Sequence, residues 1–286
     1  MPASAIQPSA SSVARVCSGL MNTRVIAPTS AEIAASASTR SQMRRAMPAG
    51  AGVVLGAVGM EKSGRDVVSG QARILLVNPN TAEAVTALLA AEARRHAGER
   101  AAIVAVTAAF GAPGIQTPEE AQVAARAVAE AVDAHRTCDA AIVAAFLDPG
   151  FEEAEALRIM PVVGFGRAGL RAAAAGGRRF GLVTAGPAME DAVRTRIGEL
   201  GLAPQLAGMR LVNAGVRDLI ADRARHRDEV LAAVRACAVE DGAEAVLLGG
   251  APFAGFAAEI ANAADVAVLD GVAAAVDAAI AAARGG

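Results

Sequence analysis

The stretch ILLVNPNTAEAV, residues 74–85, opens the part of the chain in which a fold pattern can be recognised. Its first residues are apolar, a polar turn follows at residues 78–81, and an Ala-rich helical segment comes next. Strands this short and this uniformly apolar are typical of parallel sheets that helices cover on both faces. A strand that runs through a turn into a helix therefore predicts an α/β fold.

The same alternation of apolar strands and helical segments continues to the end of the chain. We predict strands at residues 74–77, 102–106, 140–145, 161–163, 180–183, 207–211, 245–248 and 266–269. Segments with helix-forming composition lie at residues 118–135, 190–200 and 217–240. This order of elements predicts an α/β protein with doubly wound parallel sheets.

An internal repeat divides this pattern into two halves. ILLVNPNTAEAV resembles FGLVTAGPAMEDAV (180–193), and AAIVAAFLDPG (140–150) resembles AEAVLLGGAPFAG (243–255). We therefore predict two pseudo-symmetric α/β lobes with a ligand site at the interface between them. The first lobe is assigned to residues 73–167 plus 268–286 and the second lobe to residues 168–267.

Residues 1–70 differ from the rest of the chain. They are rich in Ser, Ala, Pro and Arg and show no sustained helical or strand period. We interpret them as a disordered or over-annotated leader, because several later methionines could serve as starts. Two alternatives stay open: the Arg- and Ser-rich composition is similar to that of an organellar transit peptide, and Arg44-Arg45 before an apolar stretch is similar to an export signal.

Composition excludes several classes of function. Lys62 is the only lysine and precedes the first strand, so a pyridoxal-phosphate Schiff base or a Walker-type phosphate loop has no lysine to use. The net charge of −2 argues against a nucleic-acid partner. No apolar run approaches the roughly 20 residues that span a bilayer, so no membrane association is expected.

The cysteines and histidines point to a reduced protein without a metal site. Cys17, Cys138 and Cys237 are odd in number and far apart, which favours a cytoplasmic protein over a disulfide scaffold. The histidines stand alone in polar helical stretches without a second ligand at a suitable spacing. Whether identical subunits assemble is left open.

A series of motifs carries a resemblance to a known family. In order along the chain they read ILLVNPNT, FGAPGIQTPEEA, AAFLDPG, MPVVGFGRAG, FGLVTAG, DGAEAVLLGGAPFAG and VAVLDGVAAAV. Their order and spacing resemble those of the Asp/Glu racemase superfamily, closest to its hydantoin and allantoin racemase branch. The resemblance covers about residues 73–284, which is essentially the whole part with a fold pattern.

This resemblance implies a cofactor-independent racemase with one cysteine from each lobe. One thiolate removes the proton beside a carbonyl, and the opposite thiol delivers a proton to the other face. The chain departs from this pattern at both cysteine positions, which are occupied by Ala145 and Gly250. Cys138 lies at the wrong end of its strand to substitute, and Cys237 lies in a predicted helix as a buried structural thiol.

Other positions implied by the resemblance are candidates for substrate binding. Asn78, Asn80 and Thr81 form a polar turn that feeds a helix, a geometry that presents amides to an anion, and Thr184 begins the equivalent turn of the second lobe. Ordinary helix caps are the alternative interpretation of both turns. Two neighbours of the vacated positions complete this set: Phe146 and Ala251.

Two charged residues near the expected cleft have two interpretations each. Arg167 could bind a substrate carboxylate with two hydrogen bonds, or it could be a surface arginine at a helix start. Asp148 could contact substrate and move a proton, or it could simply cap its own loop.

Two functions compete at this point. In the first, the protein is an enzyme that acts on a small hydantoin, amino acid or related carboxylate. Because neither cysteine position carries a thiol, its chemistry would come from Asp148, from a threonine such as Thr107 or Thr184, or from bound water. In the second, it is a non-catalytic protein that binds a small anion or ureide on a racemase fold. In both cases the expected partner is a small carboxylate or ureide.

Overall fold

The computed structural model describes residues 71–186 and 189–285, which contain two four-stranded sheets. The first sheet consists of β1 (Ala72–Asn78), β2 (Ala101–Thr107), β3 (Ala140–Val143) and β4 (Val162–Gly164). The second sheet consists of β5 (Phe180–Ala185), β6 (Leu206–Val212), β7 (Ala245–Gly249) and β8 (Ala267–Asp270). The expected leader falls on residues 1–70 and lies outside the described residues.

The two sheets have the same topology. Their strand orders are β2-β1-β3-β4 and β6-β5-β7-β8, and every neighbouring pair is parallel. The predicted α/β class with two pseudo-symmetric parallel-sheet lobes is therefore confirmed. Because all strands of a sheet run the same way, their carboxyl ends and the loops that follow lie along one edge.

Helices connect the strands and cover the sheets. They are α1 (Glu83–Ala97), α2 (Pro118–Ala134), α3 (Phe151–Ala156), α4 (Phe165–Ala173), α5 (Glu190–Glu199), α6 (Val216–Ala221), α7 (Arg223–Val239), α8 (Phe256–Ile260) and α9 (Gly271–Gly285). The α2 helix begins at a capping box, in which Thr117 accepts from the N–H of Glu120 and the Glu120 side chain accepts in return. None of the helices within residues 71–186 and 189–285 is long and apolar enough to cross a lipid bilayer.

One apolar core is shared by the two sheets. Ile74 and Ile142 of the first sheet and Leu182 and Leu247 of the second belong to the same buried cluster, together with Phe165 at the start of α4. Separate clusters fill the outer face of each sheet. The lobes are therefore packed against each other through side chains that water does not reach.

The end of the chain is divided between the two lobes. Strand β8 pairs with β7 in the second sheet, although sequence analysis assigned residues 268–286 to the first lobe. Helix α9 then packs mainly on α4 and α1. Residues 268–270 therefore belong to the second lobe and not to the first, because they form backbone hydrogen bonds with the edge of β7.

Two of the differences from the predicted elements affect the loops described below. The segment predicted as a single helix at 217–240 is split into α6 and α7 at Asp222, which has φ −140° and ψ 76°. The Asp222 side chain accepts from the N–H of Arg225 and so caps α7. Strand β3 ends at Val143 rather than at Ala145, because the chain turns and the N–H of Asp148 donates to the Ala145 carbonyl at 2.9 Å.

Candidate active site

Two equivalent loops follow β3 and β7, and we call residues 144–150 the first tip loop and residues 249–255 the second tip loop. In each, the carbonyl two positions into the loop accepts from the N–H three residues later: Asp148 to Ala145 at 2.9 Å, and Phe253 to Gly250 at 3.1 Å. Each loop also ends at a glycine of positive φ, and a helix beginning with Phe follows. Positions 145 and 250 are therefore structural counterparts, and we call them the tip positions.

The structure brings these two loops into contact. The ring of Phe146 in the first loop lies against Gly249 in the second, where a β-carbon would stand 2.7 Å from the ring Cζ. The same ring packs edge-on against Phe165, with 6.1 Å between the ring centroids and an interplanar angle of 76°. Phe146 is only 9% exposed and lies in the shared core, so it joins the two lobes directly beneath the tip positions.

The polar turn after β1 is held by its own side chains. Asn78 is fully buried, and its Nδ2 donates to Asn80 Oδ1 and to Thr86 Oγ1, both at 3.0 Å. Asn80 Oδ1 also accepts from the N–H of Ala82 at 2.9 Å at the start of α1. The Thr81 N–H donates to the carbonyl of residue 112. These bonds make the turn rigid and engage both asparagine side chains within the turn, although neither is the N-cap of α1, which is Ala82.

The corresponding position in the second lobe is Thr184. Its hydroxyl is buried and donates to the Gly249 carbonyl at 2.8 Å, across the pair that β5 and β7 form. This bond fixes the end of β7 immediately before Gly250, whose φ of 121° and ψ of 153° lie in a region that only glycine occupies readily. Ala251 then opens a short 3₁₀ turn that ends at Phe253.

Asp148 is the buried carboxylate of the first tip loop. It is 1% exposed, and its two oxygens accept from the N–H groups of Gly166 at 2.8 Å and Arg167 at 3.0 Å. Burial raises the pKa of this carboxyl to about 7, against the opposing effects of the two N–H bonds and of Arg196 and Arg167. The carboxylate ties the first tip loop to the start of α4.

Asp270 has the corresponding role in the second lobe. It accepts from the N–H of Gly255 at 2.6 Å and from the N–H of Val272 at 2.8 Å, so it ties the second tip loop to the start of α9. Burial also raises the pKa of this carboxyl. The aspartate sits on the loop in one lobe and on the fourth strand in the other, but the connection that it makes is the same.

Arg167 contacts groups of its own lobe, and its buried Nε has no hydrogen-bond partner among the described residues. Its guanidinium lies over the ring of Phe151, 4.2 Å from the centroid, and forms an ion pair with Glu152. Its Nε is 3.6 Å from Asp148 Oδ2. This arrangement favours the interpretation of Arg167 as an arginine at a helix start over that of a substrate-binding group.

Neither described cysteine lies at a tip loop. Cys138 precedes β3 and Cys237 lies in α7, and both are buried. Burial raises the pKa of both thiols, that of Cys237 to about 11. At neutral pH these groups are protonated thiols rather than reactive thiolates.

Two arginines at the tip loops were missed by sequence analysis. Arg196 of α5 donates to the Leu147 carbonyl at 3.0 Å, and Arg223 of α7 donates to the carbonyls of Pro252 and Ala254, each at 3.0 Å. In the sequence, both arginines have the pattern of solvent-facing residues in polar helices. No local sequence signal distinguishes them, because each reaches a loop that is distant in sequence.

Comparisons with known proteins agree with this architecture. The model of the Asp/Glu/Hydantoin racemase family matches residues 74–279. A hydantoin racemase of Paenarthrobacter aurescens is 30% identical over 206 residues, which are 71% of this chain and 87% of that protein. The crystal structure of allantoin racemase from Pseudomonas fluorescens is 31% identical, with a TM-score of 0.70 over 74% of this chain and 91% of that one. The allantoin racemase from Klebsiella pneumoniae is 29% identical, with a TM-score of 0.66 over 74% and 87%.

Proposed function

The chain belongs to the Asp/Glu/hydantoin racemase family, and from this premise we propose that it binds a small hydantoin, amino acid or related carboxylate at the two tip loops and, having no thiol in either loop, does not exchange the ligand's α-proton. The relatives described above are hydantoin and allantoin racemases. Cyclic ureides are therefore the first class of ligand to test, and the family resemblance implies that no cofactor is needed.

One observation carries this proposal. Ala145 and Gly250 occupy equivalent positions of the two tip loops, beside the contact between Phe146 and Gly249. These are the positions at which the family resemblance expects the two cysteines. Neither a methyl group nor a hydrogen atom can accept or deliver a proton, so a two-thiol mechanism has no proton carrier at these positions.

The polar groups beside the tip positions support binding better than proton transfer. The Thr184 hydroxyl already donates to the Gly249 carbonyl, and both oxygens of Asp148 already accept from backbone N–H groups. In the part of the chain that the structure describes, Cys138 and Cys237 are buried away from the loops. Backbone N–H groups held by a rigid loop are sufficient to bind a small anion.

A second candidate is catalysis by Asp148, which one observation favours. A carboxyl with a pKa of about 7 is matched to general acid or base chemistry at neutral pH. Its burial and its two backbone hydrogen bonds oppose this role, since the loop would have to rearrange before a ligand could reach either oxygen. The two candidates differ in whether the wild-type protein exchanges the ligand's α-proton.

The test combines a binding screen with an exchange measurement. Hydantoin, allantoin, aspartate, glutamate and malonate are screened by thermal shift, and each hit is then incubated with the protein in deuterated water. We expect at least one compound to raise the melting temperature and none to incorporate deuterium at the α-carbon beyond the rate without protein. Rapid deuterium incorporation by the wild type would contradict the proposal and favour catalysis. The absence of any binding would contradict both candidates.

A further inference from the structure

Two arginines donate hydrogen bonds to equivalent backbone carbonyls of the two tip loops. Leu147 and Pro252 each stand two residues after a tip position. The Leu147 carbonyl accepts from Arg196 Nη2 at 3.0 Å, and the Pro252 carbonyl accepts from Arg223 Nη1 at 3.0 Å. Both arginines belong to helices of the second lobe, although the carbonyls lie in different lobes.

Each held carbonyl belongs to a peptide group that also makes the hydrogen bond closing its loop. The N–H of the Leu147–Asp148 peptide donates to the Ala145 carbonyl at 2.9 Å, and the N–H of the Pro252–Phe253 peptide donates to the Gly250 carbonyl at 3.1 Å. A guanidinium, a peptide group and a tip carbonyl are thus connected in series. Hydrogen bonds connected in this way polarise one another. The arginine therefore strengthens the hydrogen bond that the loop N–H donates to the tip carbonyl.

The direction of the tip carbonyl determines the direction of one further N–H group. In a trans peptide the C=O and N–H point to opposite sides. The carbonyls of Ala145 and Gly250 point into their own loops. The N–H groups of Phe146 and Ala251, on the other side of the same peptides, therefore point out of the loops. Within the described residues these two N–H groups have no hydrogen-bond acceptor. Backbone N–H groups without an internal acceptor are the kind of donor that binds an anion or a ureide carbonyl.

Both guanidinium groups are themselves held in place. The side chain of Arg223 is 21% exposed, lies 4.1 Å from the ring centroid of Phe256 and pairs with Glu259 at 2.8 Å. The side chain of Arg196 is 20% exposed and pairs with Glu199 at 3.2 Å. Partly buried hydrogen bonds of this kind are less screened by solvent than those of surface ion pairs.

We infer that Arg196 and Arg223 are positioning residues that hold the N–H groups of Phe146 and Ala251 ready for a carboxylate or ureide carbonyl. The inference rests on the proposed function for the identity of the ligand. Its first part, the holding of the loops, concerns the protein alone and can be tested without any ligand.

The first experiment measures amide hydrogen exchange of the full chain by NMR in Arg196→Met and Arg223→Met. Methionine keeps an apolar stem and removes the donors. A hydrogen bond to a charged group contributes about 1.5–3 kcal/mol, so we expect protection at Asp148 to fall by about 10-fold or more in the first variant, and protection at Phe253 to fall similarly in the second. Each variant should leave the other loop unchanged, and lysine variants should recover part of the protection.

Matched controls come from the same two helices. Arg194 on α5 is half exposed and pairs with Glu190, and Arg227 on α7 is 41% exposed and pairs with Asp228. Arg194→Met and Arg227→Met should leave the protection of Asp148 and Phe253 unchanged. Unchanged protection in Arg196→Met and Arg223→Met, or equal loss in variants and controls, would overturn the inference.

The second experiment adds hydantoin or malonate as the probe. We expect the amide signals of Phe146 and Ala251 to shift in the wild type, and the dissociation constant to rise about 10-fold or more in Arg196→Met and Arg223→Met but not in the controls. Binding without any shift of these two signals would overturn the ligand part of the inference. If the wild type binds no probe, the proposed function and the ligand part fail together, and the exchange measurement alone decides whether the arginines hold the loops.

Discussion

Phe146 packs on Gly249 so closely that a β-carbon on the glycine would lie 2.7 Å from the ring Cζ and 2.8 Å from Leu182 Cδ1. The contact joins the first tip loop to the end of β7, and it involves the residues directly beside Ala145 and Gly250. The distance between the two lobes at the tip positions is therefore set by an aromatic ring resting on a residue without a side chain.

This contact predicts that Gly249→Ala destabilises the protein. The added methyl group must displace the Phe146 ring or the strand end, which costs about 1–3 kcal/mol in a well-packed core. Gly198→Ala is the matched control, because a β-carbon at Gly198 in α5 meets nothing within 4 Å. Urea unfolding of both variants measures the two free energies. Equal stability of Gly249→Ala and the wild type would show that the ring has room to move.

The strands were predictable because their signal is local. All eight predicted strands were found, since buried parallel strands are uniformly apolar and short turns separate them from helices. The family resemblance indicated positions 145 and 250 as the two cysteine positions, and the structure gives them equivalent places in the two tip loops. The break at Asp222 was not predicted because aspartate is tolerated in a polar helix, and its φ and ψ together with the hydrogen bond from the Arg225 N–H mark it as a cap.

The contacts that organise the candidate site were less predictable. Arg196 and Leu147 are 49 residues apart, and Arg223 and Pro252 are 29 residues apart. An arginine that reaches a distant carbonyl has the same local sequence pattern as one that faces solvent. The packing of Phe146 on Gly249 depends on how two lobes meet, which the pattern of one lobe does not contain.

The burial of Asp148 predicts a specific pH dependence of stability. Its pKa is about 7 in the folded protein and 3.8 for an unperturbed group. The folded state thus holds a proton that the unfolded state has released between these two values, so the contribution to stability is fully present below about pH 4 and is lost as the pH rises to about 7. Each unit of pKa difference corresponds to about 1.4 kcal/mol.

Asp148→Asn should remove this component of the pH dependence. Free energies of unfolding are measured between about pH 4 and pH 8 for the wild type and the variant, and their difference is compared across the range. We expect the wild type to lose stability relative to the variant as the pH rises. Carbon-13 NMR of the Asp148 carboxyl is the direct measurement, and a titration midpoint near that of an exposed aspartate would contradict the prediction.

The buried thiols predict resistance to thiol reagents. Cys138 and Cys237 are buried, and burial raises the pKa of each. A reagent such as iodoacetamide at neutral pH should leave both unmodified in the folded protein and modify both in urea, as measured by mass spectrometry of the peptides that contain them. The untreated protein supplies the control. Rapid modification of Cys237 in the folded state would mean that α7 opens readily.

The equivalence of the two tip positions predicts what cysteine substitutions there will do to α-proton exchange. Ala145→Cys and Gly250→Cys together should introduce measurable α-proton exchange on a ligand that the wild type binds without exchange, because each substitution returns a proton carrier to one of two equivalent loops.

Ala145 should accept cysteine readily. Gly250, with φ 121°, should tolerate it at a cost of about 1–3 kcal/mol, so the melting temperature of each variant is measured first. A β-carbon at Gly250 has its nearest neighbour at 3.6 Å, so the strain comes from the backbone and not from crowding.

Each single variant should give at most exchange without inversion, since inversion needs an acid opposite the base. Deuterium incorporation followed by proton NMR distinguishes the four proteins. A folded double variant that binds the ligand and exchanges no proton would show that the two loops do not face the same carbon atom.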